Sequence, residues 1–200
     1  MGYWCDHHLG CAIYGALWVV RGDLLMRHAP PQALSIDPIT REAFAPYGDV
    51  LGGGQTPVGV LINAGTTLKI NAIDPVLSAH DGRPKLFVYR TQAQHLPLTL
   101  SMLECHQLGS QTFVPLADLS FVVVVACSAS DTVAPQPDLS TLRAFWVDGH
   151  QGVTLAPGTW HHPLISLHDG ELVVLERAAQ KTDCLIHALS PAVTLKARAL

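Results

Sequence analysis

The chain has 200 residues, of which 14% are charged and 48% hydrophobic, and its net charge at pH 7 is −4. This length suits one domain, and the excess of apolar over charged residues excludes an intrinsically disordered chain. No run of Lys and Arg is present and no apolar stretch reaches the length of a membrane span, so neither nucleic acid nor a membrane is an expected partner.

The five cysteines form no recognisable framework. Their number is odd and none belongs to a CxxC pair, which argues against disulfides and against a structural zinc site. Reduced thiols in a cytoplasmic protein are the simpler interpretation. The cysteines are Cys5, Cys11, Cys105, Cys127 and Cys184.

The N-terminal segment differs from the rest of the chain. Leu9 to Val20 is mostly apolar, as in a secretory signal, but no Lys or Arg precedes it and no Ala-x-Ala site follows. We therefore predict that residues 1–33 are a peripheral extension, with Met26 as an alternative start, and that residues 34–200 form a single domain.

One helix and then a series of strands are predicted in chain order. Residues 38–47 have the pattern of a short helix that Thr40 would cap. Strands bounded by Gly, Pro and Asp-Gly turn signals are predicted over residues 85–90, 98–106, 121–126, 142–147, 152–155 and 171–176. The valine run at 121–126 is typical of a strand covered on both faces. This pattern predicts a mainly β fold, an antiparallel β-barrel or jelly roll with a few short helices.

The first candidate site lies at the end of the strand predicted over residues 98–106. Glu104 and His106 are two residues apart and therefore point to the same side of a strand, whereas Cys105 points away. A turn at Gly109 would bring Gln111 back to the same cavity. A carboxylate on a core face is costly without a partner, so we favour a functional role for this group over a structural one.

The second candidate site is the segment Pro157-Gly158-Thr159-Trp160-His161-His162-Pro163. It resembles the second motif of the cupin barrels, in which a Pro-Gly turn precedes a histidine that points inward. Strand alternation allows only one of the two histidines to face the interior, and the spacing alone leaves both open. The remaining eight histidines are expected at the surface: His7, His8, His28, His80, His95, His150, His168 and His187.

Two basic residues are candidates for holding a carboxylate ligand. Arg90 ends a predicted strand, where its planar guanidinium could reach into the mouth of a barrel. Lys69 is a second candidate. The alternative for both is an ordinary surface position, and composition alone favours that alternative.

Short motifs between residues 34 and 189 form a pattern that is specific when they are taken together. They are FxxYGDV at 44–50, INxG at 62–65, LPLT at 96–99, ExHxLGxQxFxP at 104–115, FVVVVA at 121–126, PDLSTLRAF at 137–145, QGV at 151–153 and WHHPL at 160–164. In these motifs the chain resembles the ureidoglycolate lyase family. Two positions depart from the family pattern: Lys69 stands where an arginine is expected, and Asn71 where a histidine often occurs.

The resemblance implies a fold, an assembly and a reaction. The expected fold is a cupin-like β-barrel, and the expected assembly is a homodimer. The expected substrate is a small molecule, (S)-ureidoglycolate, which is cleaved to glyoxylate and urea in allantoin catabolism. Releasing urea requires removal of the hydroxyl proton and protonation of the leaving nitrogen, and therefore a base and an acid.

The residues of the two segments suggest roles in such a reaction. His106 or His162 is the candidate base, and Glu104 is its orienting or acid partner. The expected substrate-binding residues are Arg90, Lys69, Gln111, Trp160 and His161, with Gln111 on the ureido group, Arg90 and Lys69 on the carboxylate and Trp160 as a wall of the pocket.

No cofactor is expected to be required. Glu104, His106, Gln111 and His162 offer a divalent-metal site that is weaker than in metal-binding cupins, because glutamine is a poor ligand. Three alternatives remain at this point: an amidohydrolase that releases ammonia, a metal-dependent cupin dioxygenase or isomerase, and a non-catalytic cupin-type protein that binds a ureide.

Overall fold

A computed structural model describes residues 32–53, 59–70, 74–130 and 132–197. These residues form fifteen strands, one α-helix, α1 (Arg41–Phe44), and one 3-10 turn (Asn63–Gly65). The strands are β1 (Ala33–Leu34), β2 (Ile36–Pro38), β3 (Gly48–Gly52), β4 (Gly59–Ile62), β5 (Thr67–Ile70), β6 (Arg83–Thr91), β7 (Leu98–Cys105), β8 (Gln111–Pro115), β9 (Phe121–Ser128), β10 (Pro137–Val147), β11 (Gln151–Leu155), β12 (Trp160–His161), β13 (Ile165–Ser166), β14 (Gly170–Ala178) and β15 (Leu185–Leu195).

The larger sheet has eight strands in the order β1-β15-β7-β12-β9-β10-β2, with β13 also paired to β9. Its two end strands, β1 and β2, are separated by a single residue in sequence. Because one residue cannot span a flat sheet, the sheet must curl until its two edges meet. The pairs β1–β15 and β2–β10 are parallel and the other pairs are antiparallel. The predicted mainly β barrel is therefore confirmed, with parallel pairing at the closure that the sequence did not reveal.

The smaller sheet has five strands in the order β3-β11-β8-β14-β6. Side chains from both sheets share one apolar cluster, for example Val123 and Phe145 from the larger sheet with Phe113 and Val174 from the smaller. We call the space between the sheets the interior. A second cluster fills the opposite face of the larger sheet. Consecutive residues of β9 alternate between the two clusters, which confirms that the valine run is covered on both faces.

The local predictions hold at most elements. Thr40 caps α1 by accepting a hydrogen bond from the backbone N–H of Ala43, 3.1 Å away, although the helix is shorter than predicted. Each of the six predicted strands is present, but the other nine strands of the described residues, β8 and β15 among them, were not predicted. The N-terminal segment 1–31 lies outside the described residues, so the proposed extension and the alternative start at Met26 stay predictions. Within the described residues, no helix has the length and apolar character to span a bilayer.

Candidate active site

The register between β7 and β12 decides which histidine faces the interior. His161 lies opposite Glu104, and Trp160 lies opposite Cys105. Cys105 and Trp160 belong to the cluster on the far face of the larger sheet. Glu104 and His161 therefore point to the other face, into the interior, and His161 is almost completely buried.

A glycine turn sets this register. Gly158 adopts a positive φ of 85°, a conformation that suits glycine, as the predicted Pro-Gly turn requires. Its N–H donates to the carbonyl of His106, 2.8 Å away, which ties the start of β12 to the end of β7. The hydroxyl of Thr159 donates to the carbonyl of Tyr47 at 2.8 Å. These bonds bring the two sequence motifs side by side.

Three polar side chains meet at this end of the interior, and we call Glu104, His106 and His161 the triad. Glu104 Oε1 lies 3.3 Å from His161 Nε2. The rings of His106 and His161 are 5.4 Å apart between centroids and tilted by 43°. One ligand atom from each of the three residues lies within 4.8 Å of the others. The structure thus brings together two of the residues predicted as catalytic, Glu104 and His106, with His161.

Both triad histidines are held through Nδ1 by a backbone carbonyl. His161 Nδ1 lies 3.1 Å from the carbonyl oxygen of Thr159, and His106 Nδ1 contacts the carbonyl oxygen of Asp183. A carbonyl only accepts hydrogen bonds, so the proton of each neutral ring sits on Nδ1 and the lone pair on Nε2. Both Nε2 atoms are buried without a well-aligned hydrogen-bond partner among the described residues. His161 Nε2 is within ion-pair distance of Glu104, but its geometry is not that of a hydrogen bond.

The histidines control the charge of Glu104. Burial by itself raises the pKa of this carboxyl, but the contact with His161 and the positive charge that His161, His106 and His162 carry when they are protonated outweigh burial and hold the pKa below its usual value. Glu104 is consequently a carboxylate at neutral pH. A carboxylate facing two imidazole lone pairs attracts a proton, a ligand hydroxyl or a cation into the space between them.

This donor set suits a divalent metal. Two imidazole nitrogens and a carboxylate oxygen at these separations match the ligands that zinc, nickel and iron(II) sites use. The set differs from the one expected from sequence, because His161 occupies the place expected for His162. His162 lies beyond the end of β12, and its Nδ1 is 2.8 Å from the carbonyl oxygen of Pro163. Burial lowers the pKa of His162, and Glu104 raises it by a smaller amount.

Gln111 and Glu176 face the interior from the smaller sheet. They are register partners of β8 and β14 on the same side as Phe113 and Val174 of the interior cluster. Gln111 Nε2 donates to Glu176 Oε2 at 2.7 Å, and Gln111 Oε1 is buried without a partner among the described residues. The amide therefore retains an unused acceptor, which fits a ligand with N–H donors.

Arg90 faces away from the interior. On β6 the inward side chains are Phe87 and Tyr89, so Arg90 points outward by alternation. Its guanidinium donates two bonds to Glu171 Oε1, at 2.9 and 2.7 Å, on that outer face, and its side chain is 85% exposed. The expected role of Arg90 as a carboxylate anchor does not fit this position. The physical reason is the strand register, which composition does not reveal.

Lys69 and Trp160 are also separate from the triad. Lys69 is exposed on β5, and the β4–β5 hairpin forms a two-stranded sheet of its own. Trp160 is buried on the far face of the larger sheet, where its ring lies 5.9 Å from that of His187. Trp160 is therefore a core residue and does not wall the space around His161. His187, expected at the surface, is half-buried, and burial lowers its pKa.

Sequence reasoning missed three residues around this site. Asp183 contacts His106 and the turn that follows it, and Cys184 Sγ lies 3.9 Å from Glu104 Oε2. Lys85 lies on the inward side of β6, opposite Glu176, with its ammonium 4.4 Å from the centre of the Phe87 ring. Only the alternation of β6 could have drawn attention to Lys85. Asp183 and Cys184 carry no local signal, because their contacts join residues about eighty positions apart.

Comparison with known proteins identifies the family of this chain. The family model described as ureidoglycolate lyase matches residues 31–196, which include the whole triad. A ureidoglycolate lyase of Burkholderia mallei is 45% identical over 151 residues, which cover 73% of this chain and 83% of that protein. Ureidoglycolate lyases of Azotobacter vinelandii and Pseudomonas fluorescens are 38% and 35% identical, over 77% and 78% of this chain and 90% and 91% of theirs. The chain therefore belongs to the ureidoglycolate lyase family.

Proposed function

We propose that this protein is a ureidoglycolate lyase that cleaves (S)-ureidoglycolate to glyoxylate and urea. The observation that carries the proposal is the triad, in which a carboxylate faces two imidazole Nε2 atoms that have no hydrogen-bond partner among the described residues. The similarity to proteins named ureidoglycolate lyase supports the same reaction. Release of glyoxylate and urea from ureidoglycolate is the reaction expected of an enzyme of allantoin catabolism.

The reaction needs only proton transfers around one carbon. That carbon carries a hydroxyl, a carboxylate and the ureido nitrogen. Removing the hydroxyl proton lets the C–O bond become the aldehyde C=O of glyoxylate as the C–N bond breaks. The leaving nitrogen takes a proton and departs as urea. A base and an acid held on either side of the carbon each accelerate such a step by about 10²–10⁴-fold.

The two triad histidines suit these roles. In its neutral form each ring offers an Nε2 lone pair, so His106 or His161 can accept the hydroxyl proton. Whichever imidazole is protonated can return the proton to the leaving nitrogen. The depressed pKa of Glu104 argues against an acid role and for an orienting role, because a carboxylate stabilises the imidazolium that forms. His162 remains a candidate through its proximity to Glu104.

The substrate contacts follow from the inward side chains. Gln111 Oε1 is the acceptor proposed for the ureido N–H groups. Lys85, on the inner side of β6, is the cation proposed for the substrate carboxylate, in place of Arg90. An ammonium is a point charge, so this contact gives attraction without the bidentate orientation of a guanidinium.

A divalent metal is compatible with this proposal and not required by the proton transfers above. Glu104, His106 and His161 would be its ligands, and a bound ion would polarise the substrate oxygens. The test is dialysis against a chelator, followed by addition of single metals. We expect residual lyase activity in the chelated enzyme, whereas complete loss that one metal restores would make the ion essential.

A homodimer in the cytoplasm is the proposed form of the enzyme. The outer face of the smaller sheet carries Leu86 and Val88, which are 66% and 59% exposed, and Val114, which is 38% exposed. Val88 and Val114 flank Val173 across the sheet. Contiguous exposed apolar side chains favour a protein partner, and a second copy covers them without another component. Sedimentation of the wild type and of Val88→Glu would test this assembly.

Product analysis tests the proposed reaction directly. Purified protein is given freshly prepared racemic ureidoglycolate, and glyoxylate, urea and ammonia are measured against the spontaneous rate. Enzyme-dependent glyoxylate with an equal amount of urea, from one enantiomer, is the expected result. Glyoxylate with ammonia would replace the lyase proposal by an amidohydrolase, and no product above background would favour a ureide-binding protein.

A further inference from the structure

In the segment between β14 and β15, a single residue makes three hydrogen bonds, one to a triad histidine and two to the residues that follow it. The carbonyl oxygen of Asp183 accepts a hydrogen bond from His106 Nδ1. Its carboxylate accepts two more, from the N–H of Gln107 to Oδ1 at 2.9 Å and from the N–H of Leu108 to Oδ2 at 2.7 Å. Asp183 is therefore bonded to three consecutive residues of the turn that follows β7.

The two carboxylate bonds determine where the carbonyl lies. Each joins a charged acceptor to a backbone N–H, a type of bond that is shorter and stronger than a neutral one. Because the carboxylate uses both oxygens, Asp183 is fixed relative to the turn in distance and in rotation. Its carbonyl is then held against the His106 ring, although the two residues lie 77 positions apart in sequence.

The position of this carbonyl selects the tautomer of His106. With Nδ1 donating to Asp183, the neutral ring has its lone pair on Nε2, the atom that is buried beside the triad. The other tautomer would place a proton on Nε2 and could not accept one from a ligand. The next residue, Cys184, contacts Glu104 through Sγ at 3.9 Å, so the same segment touches two of the three triad residues.

We propose that Asp183 is a positioning residue for catalysis, which fixes the tautomer and the orientation of His106 through its main-chain carbonyl. The effect on turnover rests on the proposed lyase function, whereas the effect on the tautomer does not. Residues that orient a catalytic or ligating histidine in this way typically change activity by about 10–100-fold when they are replaced.

The experiment compares Asp183→Ala and Asp183→Asn with a matched control. The control is Asp138→Ala, because the Asp138 carboxylate also accepts a backbone N–H, that of Ser140 at 3.0 Å, on an irregular part of β10 that does not include a triad residue. Three quantities are measured for each protein: kcat and KM with ureidoglycolate, the tautomers of His106 and His161 by ¹⁵N NMR, and the thermal midpoint of unfolding.

We expect Asp183→Ala to lower kcat by about 10–100-fold with KM within about twofold. The fraction of His106 that carries its proton on Nδ1 should fall, while His161, held by Thr159, keeps its tautomer as an internal reference. Asp183→Asn keeps one acceptor oxygen and should lie between Asp183→Ala and the wild type in both readouts. Asp138→Ala should change the thermal midpoint alone.

Two results would overturn the inference. One is an Asp183→Ala enzyme that loses thermal stability yet keeps the kcat and the His106 tautomer of the wild type, which would make the residue purely structural. The other is a wild-type spectrum with the His106 proton on Nε2, and this measurement needs no variant that folds. If the wild type lacks lyase activity, the proposed function fails, while the tautomer measurements still decide the role of Asp183.

Discussion

The described residues contain two clusters of histidine and carboxylate side chains, and only one of the two has the properties of an active site. The triad joins two histidines and a glutamate, and a second cluster joins Asp118, Asp148 and His150 in loops beyond β8 and β10. In the second cluster the side chains of His150 and Asp118 are 78% and 76% exposed, and their closest atoms are 3.9 Å apart. In the triad the corresponding exposures are 5% for His161 and 23% for Glu104, at 3.3 Å.

The difference between the two clusters shows that the chemistry of a cluster depends more on its burial and contacts than on its residue types. Water screens the exposed cluster, so its charges interact weakly. In the triad, strand register removes water, and backbone carbonyls hold the Nδ1 atoms of both rings. The result is a carboxylate whose pKa is held down by protonation of the neighbouring imidazoles, beside two Nε2 atoms that have no hydrogen-bond partner among the described residues.

Replacing one histidine in each cluster should give the largest contrast. We expect His161→Ala to lower kcat by about 10²–10⁴-fold, because it removes a proton-transfer group and the partner of Glu104. His150→Ala, in the exposed cluster, should leave kcat within about twofold. Steady-state kinetics with ureidoglycolate on both variants measures the contrast.

His106 and His162 extend the same test. His106→Ala should match His161→Ala, whereas His162→Ala should cost less, because the His162 ring contacts the carbonyl of Pro163. Undiminished turnover in His106→Ala would remove the central assignment of this proposal. A His162→Ala variant as inactive as His161→Ala would show that the base is His162.

Removing the charge of one carboxylate in each cluster should give the next largest contrast. Glu104→Gln keeps the shape of the side chain but loses the stabilisation of an imidazolium, so kcat should fall by about 10²–10³-fold. Asp118→Asn makes the same change in an exposed position, and kcat should be unaffected. Comparable losses in the two variants would mean that the buried cluster has no special role.

Substitutions of two cationic residues on β6 test whether the substrate binds in the interior. Lys85 lies on the inner side of the strand and Arg90 on the outer side. Lys85→Gln should raise KM by about three- to tenfold with little change in kcat, as expected for the loss of one exposed charge contact. Arg90→Gln, which removes the two bonds to Glu171 on the outer face, should leave both constants near those of the wild type. The opposite pattern would return the carboxylate site to Arg90.

The sequence predicts what depends on neighbours along the chain. The spacing of Glu104 and His106, the Pro-Gly turn before Trp160 and the two-sided burial of β9 all follow from local patterns. The choice between His161 and His162 does not, because it depends on which residue of β12 lies opposite Glu104. The outward direction of Arg90 and the contact of Asp183 with His106 likewise depend on strand pairing and on a turn far away in sequence.

The smallest predicted effect is that of Tyr47→Phe. Tyr47 also shows that burial alone does not create a functional site. Its hydroxyl donates to the carbonyl of Thr141 at 2.6 Å, and burial, with a smaller contribution from Cys127, raises the pKa of the phenol. Tyr47→Phe should reduce the free energy of unfolding by about 0.5–1.5 kcal/mol at neutral pH and leave kcat unchanged, because the lost bond is structural.

The pH dependence of Tyr47→Phe identifies the cause of that loss. The folded state holds the phenol proton to a higher pH than the unfolded state, whose pKa is about 10. Above that pH the unfolded state of the wild type ionises first, so the wild type loses stability that Tyr47→Phe does not lose. Urea denaturation at neutral pH and above pH 10 should therefore show the difference between the two proteins shrinking as pH rises. A constant difference would mean that the phenol pKa is the same in the folded and unfolded states, and that the stabilisation comes from packing of the ring.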